Sequence, residues 1–299
     1  MSKQSNSNHP LIVITGPTAS GKTSLSHALA KEFDGEIICA DSMTVYRGMN
    51  IGTDKPKELN DIPHHLLDIL NPDEEFNVSI FKGLAEEKIK GTHERGHVPF
   101  LVGGSTMYID ALVYNYQIPE VKPDKNLRGE LAKKTNAQLF SQLIELDPDA
   151  EWTVDKGNKR RLIRALEVSR QTGKPFTQQK KRRDLPKNVL YLALQLDREE
   201  LYERINSRVD KMMIEGFLDE VKNLHKKYDL NTAMQATGYR QMVGYLEGDI
   251  LLEEAVKKTK QAHRNYAKRQ LTWLKRNQDI VWIQDAEDAE KIIKEFLKK

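Results

Sequence analysis

Gly16-Pro17-Thr18-Ala19-Ser20-Gly21-Lys22-Thr23 fills every position of the pattern G-x-x-x-x-G-K-[ST]. An apolar run, residues 11–14, precedes it, and a helical pattern, residues 24–33, follows with Leu25, Ala28 and Leu29 on one face. Strand, glycine-rich turn and helix in that order make a phosphate cradle. The glycines let backbone N–H groups converge on one anion, and the helix N-terminus adds positive potential. Lys22 sets an ammonium on the outer phosphoryl oxygens, and the Thr23 hydroxyl is a ligand for Mg2+. The pattern specifies a phosphate-bearing ligand and leaves open which one.

Outward from this loop, further apolar runs recur at residues 36–40, 98–102, 189–194 and 280–283. Continuous apolar runs separated by helical stretches predict a parallel sheet covered on both faces, an α/β fold. Residues 123–173 are strongly charged and helical in pattern, and long helical patterns cover 198–228 and 251–275. In the last of these, Ala267, Leu271 and Leu274 share one face, while Lys257, Lys260, Arg264 and Lys268 fall close to another. The expected organisation is a disordered tail at 1–10, a core from 11–118 and 189–299, and a mainly helical insertion at 119–188.

A chain of 299 residues suggests about two domains, and 38% hydrophobic with 30% charged residues is ordinary globular usage. No apolar run is long enough to cross a bilayer, and the first ten residues lack the apolar centre of a signal peptide. One cysteine, Cys39, excludes an intramolecular disulfide framework and a multi-cysteine zinc site. A cytoplasmic protein with no membrane partner is expected.

The net charge of +3 conceals two basic blocks. Residues 156–187 hold twelve Lys and Arg against Glu167 and Asp184, a net +10. Residues 257–276 hold eight basic residues and no acid, so the remainder carries −15. A single basic stretch would read as a solvated helix face. Two against an acidic remainder favour a polyanion, nucleic acid above all, because clustered cations displace counterions from phosphates.

Ligands in open α/β sheets sit at the carboxyl ends of strands, which puts Asp41 beside the phosphate cradle. As an Asp after an apolar strand it suits either a metal-holding carboxylate or a general base. Residues 47–56 follow as a loop with two glycines, suited to a wall or lid. Gly103-Gly104 permits close backbone approach, and Ser105 reads as the cap of the next helix or as a ligand contact. His64, His65 and Asp68 lack a third ligand at suitable spacing and read as structural or exposed. Trp152, Trp273 and Trp282 read as packing residues.

In their order along the chain, these motifs resemble the tRNA dimethylallyltransferase (tRNA isopentenyltransferase) family. The resemblance rests on Gly16–Thr23, Asp41-Ser42 with Tyr46, Ile51-Gly52-Thr53 with Lys55-Pro56, and Leu101-Val102-Gly103-Gly104. It continues through Arg161-Leu162-Ile163-Arg164-Ala165-Leu166-Glu167-Val168, Gly238-Tyr239-Arg240-Gln241 and residues 267–273, so it covers roughly 11–275. It implies a P-loop NTPase-like core that transfers the dimethylallyl group of dimethylallyl diphosphate to N6 of adenosine 37 in the tRNA anticodon stem-loop. By this resemblance the loop Gly16–Thr23 holds the donor diphosphate, with Mg2+ on Thr23, instead of hydrolysing ATP. Asp41 becomes the general base, and Ser42, Met43 and Thr44 line the entry of the flipped adenine. Ser105 and Arg128 contact tRNA, and Arg160, Arg161, Leu162, Ile163 and Arg164 grip the anticodon arm.

The chain departs from the family pattern at Thr44, where Gln is common, at Ser105, where Thr is usual, and at 155–158. That last stretch reads Asp-Lys-Gly-Asn in place of His-Pro-Asn-Asp. No C-terminal Cys/His zinc element is present, which implies the shorter bacterial type, expected to act as a monomer. Two other functions share the P-loop. A small-molecule kinase leaves the basic blocks idle, and a nucleic-acid-dependent NTPase leaves the paired strand-end sites unexplained.

Overall fold

The computed structural model describes residues 9–59, 61–117, 119, 121–179, 183–228 and 233–298. Residues 1–8 of the expected tail, the basic residues 180–182, and Ile118 at the expected boundary lie outside the described residues. His9 and Pro10 belong to the fold: their carbonyls accept from Asn188 Nδ2 at 2.7 Å and His93 Nε2 at 2.9 Å.

Contacts divide the chain into a unit of residues 1–113 with 185–299 and a unit of residues 114–184. The sequence reading set the division at 119–188. The return point falls earlier because Asn188 is tied to the sheet, its carbonyl accepting from the Leu11 amide at 2.9 Å.

Among the described residues, the larger unit is built on six parallel strands: β1 (Leu11–Thr15), β2 (Gly35–Cys39), β3 (His64–His65), β4 (Val98–Gly103), β5 (Val189–Leu194) and β6 (Val281–Ile283). Their order is β3-β2-β4-β1-β5-β6. β1 is buried along its whole length, as its unbroken apolar sequence requires between two helical layers. It pairs with β4 in the register Thr15↔Gly103 and with β5 in the register Thr15↔Ala193. The loops after β1, β2 and β4 therefore leave one edge of the sheet together.

Around the sheet run α1 (Lys22–Glu32), α2 (Val78–Glu94) and α3 (Thr106–Val113). After the smaller unit come α8 (Arg198–Ile214), α9 (Phe217–Lys227), α10 (Tyr239–Leu246), α11 (Leu252–Leu274) and α12 (Ala286–Leu297). α1 starts two residues before the expected helix and buries Ala30, while Ala28 is exposed. The single helical pattern 198–228 breaks into α8 and α9 at Gly216, whose φ of 94° no helix can hold. None of the helices is long and apolar enough to cross a membrane, among the described residues.

The smaller unit contains α4 (Lys125–Ala132), α5 (Asn136–Leu146), α6 (Ala150–Thr153) and α7 (Lys159–Thr172). Leu131, Leu139, Leu143, Leu162, Ala165 and Leu166 fill its own core. Asn158, one of the departures from the family pattern, caps α7 by accepting from the Arg161 amide at 3.1 Å. Trp152 does not pack: it is 84% exposed, because the single turn of α6 leaves it outside that core.

Candidate active site

The loop between β1 and α1 wraps around its own carbonyls. Pro17 O accepts from the Ser20 amide at 3.2 Å and from Lys22 Nζ at 3.1 Å. Thr18, Ala19, Gly21, Lys22 and Thr23 line a cavity of about 440 Å³, while Gly16, Pro17 and Ser20 shape the loop behind it. Burial, reinforced by the nearby Arg208 guanidinium, lowers the Lys22 pKa to about 8; Asp41 and Asp54 act in the opposite direction. The ammonium is thus held in a site short of counter-charge, ready for an anion.

Asp41 lies on the same cavity, at the end of β2. Its Oδ1 accepts from the Met43 amide at 2.8 Å and the Thr44 amide at 3.4 Å, which fixes the carboxylate and folds residues 42–44 into a turn. Ser42, Met43 and Thr44 line the cavity beside it, and the buried Thr44 hydroxyl has no partner among the described residues. Cys39 lines it too, with its thiol pushed up to about 12 by burial and then by the Asp41 charge, which removes it as a nucleophile.

The Gly-Gly turn after β4 is a matter of space. A Cβ on Gly103 would fall 2.0 Å from the Ala40 carbonyl oxygen, so only glycine lets β4 pass the start of the Asp41 turn. Ser105 stands at the N-cap position of α3, its carbonyl accepting from the Ile109 amide at 3.1 Å. Its hydroxyl accepts from the Ser42 amide at 3.0 Å, joining the two strand-end turns behind the cavity wall.

The sequence reading missed the wall opposite the sheet. Gln270 on α11, 3% exposed, accepts from the Thr18 amide at 2.9 Å and donates to the Gly104 carbonyl at 2.8 Å. Tyr266, one turn earlier, donates to the same carbonyl at 3.4 Å. His263, a further turn back, is buried, and desolvation with the Arg208 charge lowers its pKa to about 3, so it is neutral. Arg208 on α8 donates to Thr18 Oγ1 and pairs with Asp54 at 3.3 Å. His263, Tyr266 and Gln270 stand in the helical pattern 251–275 and Arg208 in the pattern 198–228, and none of them is given a role in the site by sequence alone. Nothing in their local spacing marks them as facing a loop some 190 or 250 positions away.

Other expectations need correction. Lys260 and Arg264 on α11 turn towards α8, pairing with Asp210 at 2.6 Å and Asn206 at 2.5 Å, so they do not form an open anion-binding face. In the smaller unit, Arg128 and Arg164 both reach the fully buried Glu167 at 2.7 Å, and Arg164 also donates to Val121 O at 3.0 Å. They hold that unit together. Leu162 is buried in its core and so is not placed to grip RNA, Ile163 packs against that core while partly exposed, and Arg160 is exposed. Arg161 is partly buried, its Nε without a partner among the described residues. In the larger unit His64 and His65 have the structural place expected of them: His65 bonds Glu36 at 2.6 Å, and His64 lies 2.8 Å from His27. Asp68 pairs with Lys55 at 2.6 Å.

Comparison with known proteins follows the same lines. The sequence pattern of the IPP transferase family matches residues 44–277. A tRNA dimethylallyltransferase of Halalkalibacterium halodurans is 43% identical over 91% of this chain and 90% of its own length. One of Pelotomaculum thermopropionicum is 43% identical over 98% and 97%. Among solved structures, a full-length tRNA isopentenylpyrophosphate transferase from Bacillus halodurans is 39% identical, with a TM-score of 0.74 and 97% of both chains covered. A eukaryotic dimethylallyltransferase captured acting on tRNA is 29% identical, with a TM-score of 0.78 over 95% of this chain and 77% of the other. Such identity over nearly the whole length, together with the matched pattern, means that this chain belongs to the IPP transferase family.

Proposed function

We propose that this protein transfers the dimethylallyl group of dimethylallyl diphosphate to N6 of adenosine 37 in tRNA, releasing diphosphate. One observation carries the reading: the P-loop with Lys22, the Arg208 guanidinium and the Asp41 carboxylate line the same cavity. A phosphate leaving group and an acceptor proton can both be served there.

The exocyclic amine of adenine is a weak nucleophile because its lone pair is delocalised into the ring. Placing it beside the allylic carbon supplies much of the acceleration. As the N–C bond forms and the allylic C–O bond breaks, the amine loses a proton to Asp41, whose Oδ1 is held by backbone amides and whose Oδ2 is the atom offered to the amine. The electrons of the C–O bond leave on the diphosphate. Its growing negative charge meets Lys22, Arg208 and the P-loop amides, which are already in place. Ser42, Met43 and Thr44 line the wall against which the extruded adenine would rest.

The donor set fits Mg2+ held mostly by ligand oxygens and water. Thr23 offers its hydroxyl to the cavity, and no cluster of three His, Cys, Asp or Glu suited to a metal exists among the described residues. Bound there, Mg2+ would supply further charge neutralisation at the diphosphate.

The anticodon stem-loop would be held by cations of the smaller unit, with exposed Arg160 foremost and Arg128 in a supporting role through Glu167. A cytoplasmic monomer is consistent with this role. The test is mass spectrometry of nucleosides from unmodified tRNA incubated with the protein, dimethylallyl diphosphate and Mg2+. Isopentenyl-adenosine at position 37 is the expected product. Unmodified adenosine with a folded protein and competent tRNA would overturn the reading and turn attention to ATP-dependent phosphoryl transfer.

A further inference from the structure

One carboxylate reaches three successive backbone amides of the loop after the Asp41 turn. Glu220 on α9 accepts from the backbone amides of Asn50 at 2.8 Å, Ile51 at 2.7 Å and Gly52 at 3.0 Å, and from the Tyr239 hydroxyl at 2.6 Å. Four donors on one carboxylate are charge-assisted hydrogen bonds, among the stronger contacts a half-buried group can make. Gly52 is also pressed against the rings of Phe217 and Tyr239, where a Cβ would fall 2.4 Å and 2.5 Å from ring carbons. Loop and helices are therefore fitted at a single point.

What this point holds is part of the cavity. Gly52, Thr53 and Asp54 line it, as does Tyr239. Asp54 pairs with Arg208 at 3.3 Å, and Arg208 donates in turn to Thr18 on the P-loop. Arg208 is a long side chain with many rotamers, and it faces Lys22, which repels it. Left alone, it would swing away from a second cation in an anion-free site. Asp54, with Asp41 second to it, supplies the opposing charge, and Asp54 is positioned by the clamped stretch 50–52, its amide donating to Ile51 O at 3.1 Å.

We propose that Glu220 is a positioning residue that aims Arg208 at the phosphate site through the 50–54 loop and Asp54. The inference rests on the reading of the cavity as a diphosphate site. Glu220 itself touches no ligand. Its effect is on how much of Arg208 is pre-set before the anion arrives, which is a contribution to affinity.

The experiment is titration calorimetry of inorganic diphosphate with the full chain and with Glu220→Gln, Asp54→Asn and the double variant. Gln keeps one acceptor oxygen and turns an NH2 group towards amides that can only donate, so it opens the clamp with little change in volume. Glu220→Gln is expected to weaken binding by roughly tenfold, and Asp54→Asn by less, because it also removes a negative charge that faces the anion. The double variant should bind no more weakly than Glu220→Gln, because both changes cut the same connection. With dimethylallyl diphosphate and tRNA, Glu220→Gln should raise KM for the donor by more than it lowers kcat, because the bound diphosphate itself draws Arg208 into place.

Unchanged affinity in folded Glu220→Gln, or losses that add in the double variant, would overturn the proposal. Should Glu220→Gln not fold, Asp54→Asn is measured in the wild-type chain and in Arg208→Ala, where only the loss of its charge remains; the Asp54 side chain is 63% exposed and its replacement leaves the core untouched. The same change in affinity on Asp54→Asn with and without Arg208 would refute the connection. Failure of the wild-type protein to bind diphosphate is a separate result, and it would remove the reading of the cavity on which the proposal stands.

Discussion

Gln270 accepts a hydrogen bond from the Thr18 amide at 2.9 Å, tying the phosphate-binding loop to a helix 252 positions further along the chain. Its other amide atom donates to Gly104 O at 2.8 Å, so one buried side chain joins two of the strand-end turns that form the site. Gln270→Ala would strand the Thr18 amide and leave Gly104 O to the Tyr266 hydroxyl and the Thr106 amide, and is expected to cost about 2 kcal/mol in urea denaturation. Gln270→Glu keeps the bond to Thr18 but sets a carboxylate against the Gly104 carbonyl and adds negative charge near the phosphates. It should therefore bind dimethylallyl diphosphate more weakly than Gln270→Ala.

Asp41→Asn keeps an oxygen for the Met43 and Thr44 amides and removes only the base. Single-turnover transfer to tRNA should fall by about 10²–10⁴-fold, with tRNA affinity retained in a filter-binding assay. Transfer at the wild-type rate would sink the general-base assignment.

Donor affinity should depend on pH through Lys22. Its pKa in the free site is lowered to about 8, so the ammonium is present below that pH and lost above it. The phosphate groups of dimethylallyl diphosphate are fully ionised by then and cannot compensate. Kd measured by calorimetry should be flat from pH 7 to 8 and then rise by up to tenfold per unit of pH. Binding above pH 8 should take up a proton, seen as a dependence of the heat on the buffer's ionisation enthalpy. A Kd that stays flat to pH 9.5 would show that Lys22 keeps its charge.

The arginines of the smaller unit should separate into two kinds. Arg160→Ala removes an exposed cation, and should leave thermal stability unchanged while lowering the salt dependence of tRNA binding by about one unit in log Kd against log[salt]. Arg128→Ala leaves the fully buried Glu167 with Arg164 and the Asp124 amide as its partners, and should cost about 2 kcal/mol of stability in that unit. Equal effects of the two substitutions on the salt slope would contradict this division.

Several features were legible because their causes are local. The P-loop is a spacing rule for glycines and a lysine, and β1 and β5 are unbroken apolar runs that only a doubly covered sheet can bury. Asp41 could be placed in the cavity because strand ends meet at one edge of a parallel sheet. The motif at 161–168 was legible as a motif, but its residues divide in function: Leu162 fills the core of the smaller unit, Arg164 neutralises Glu167, and the exposed cation lies one position before it, at Arg160. Helical periodicity shows that faces differ. It does not say which face meets a partner.

By itself, then, the sequence determined a parallel α/β core, a phosphate cradle at Gly16–Thr23 and a carboxylate at the neighbouring strand end. Only the tertiary structure decided what surrounds them: Gln270 against Thr18 and Gly104, Arg208 between Asp54 and the P-loop, Glu220 beneath the 50–52 amides. The physical reason is the range of the interactions. Backbone geometry and burial periodicity are set by residues within a turn or a strand of one another. Hydrogen bonds and ion pairs between side chains nearly two hundred positions apart exist only after the helices have packed, and no local pattern records them.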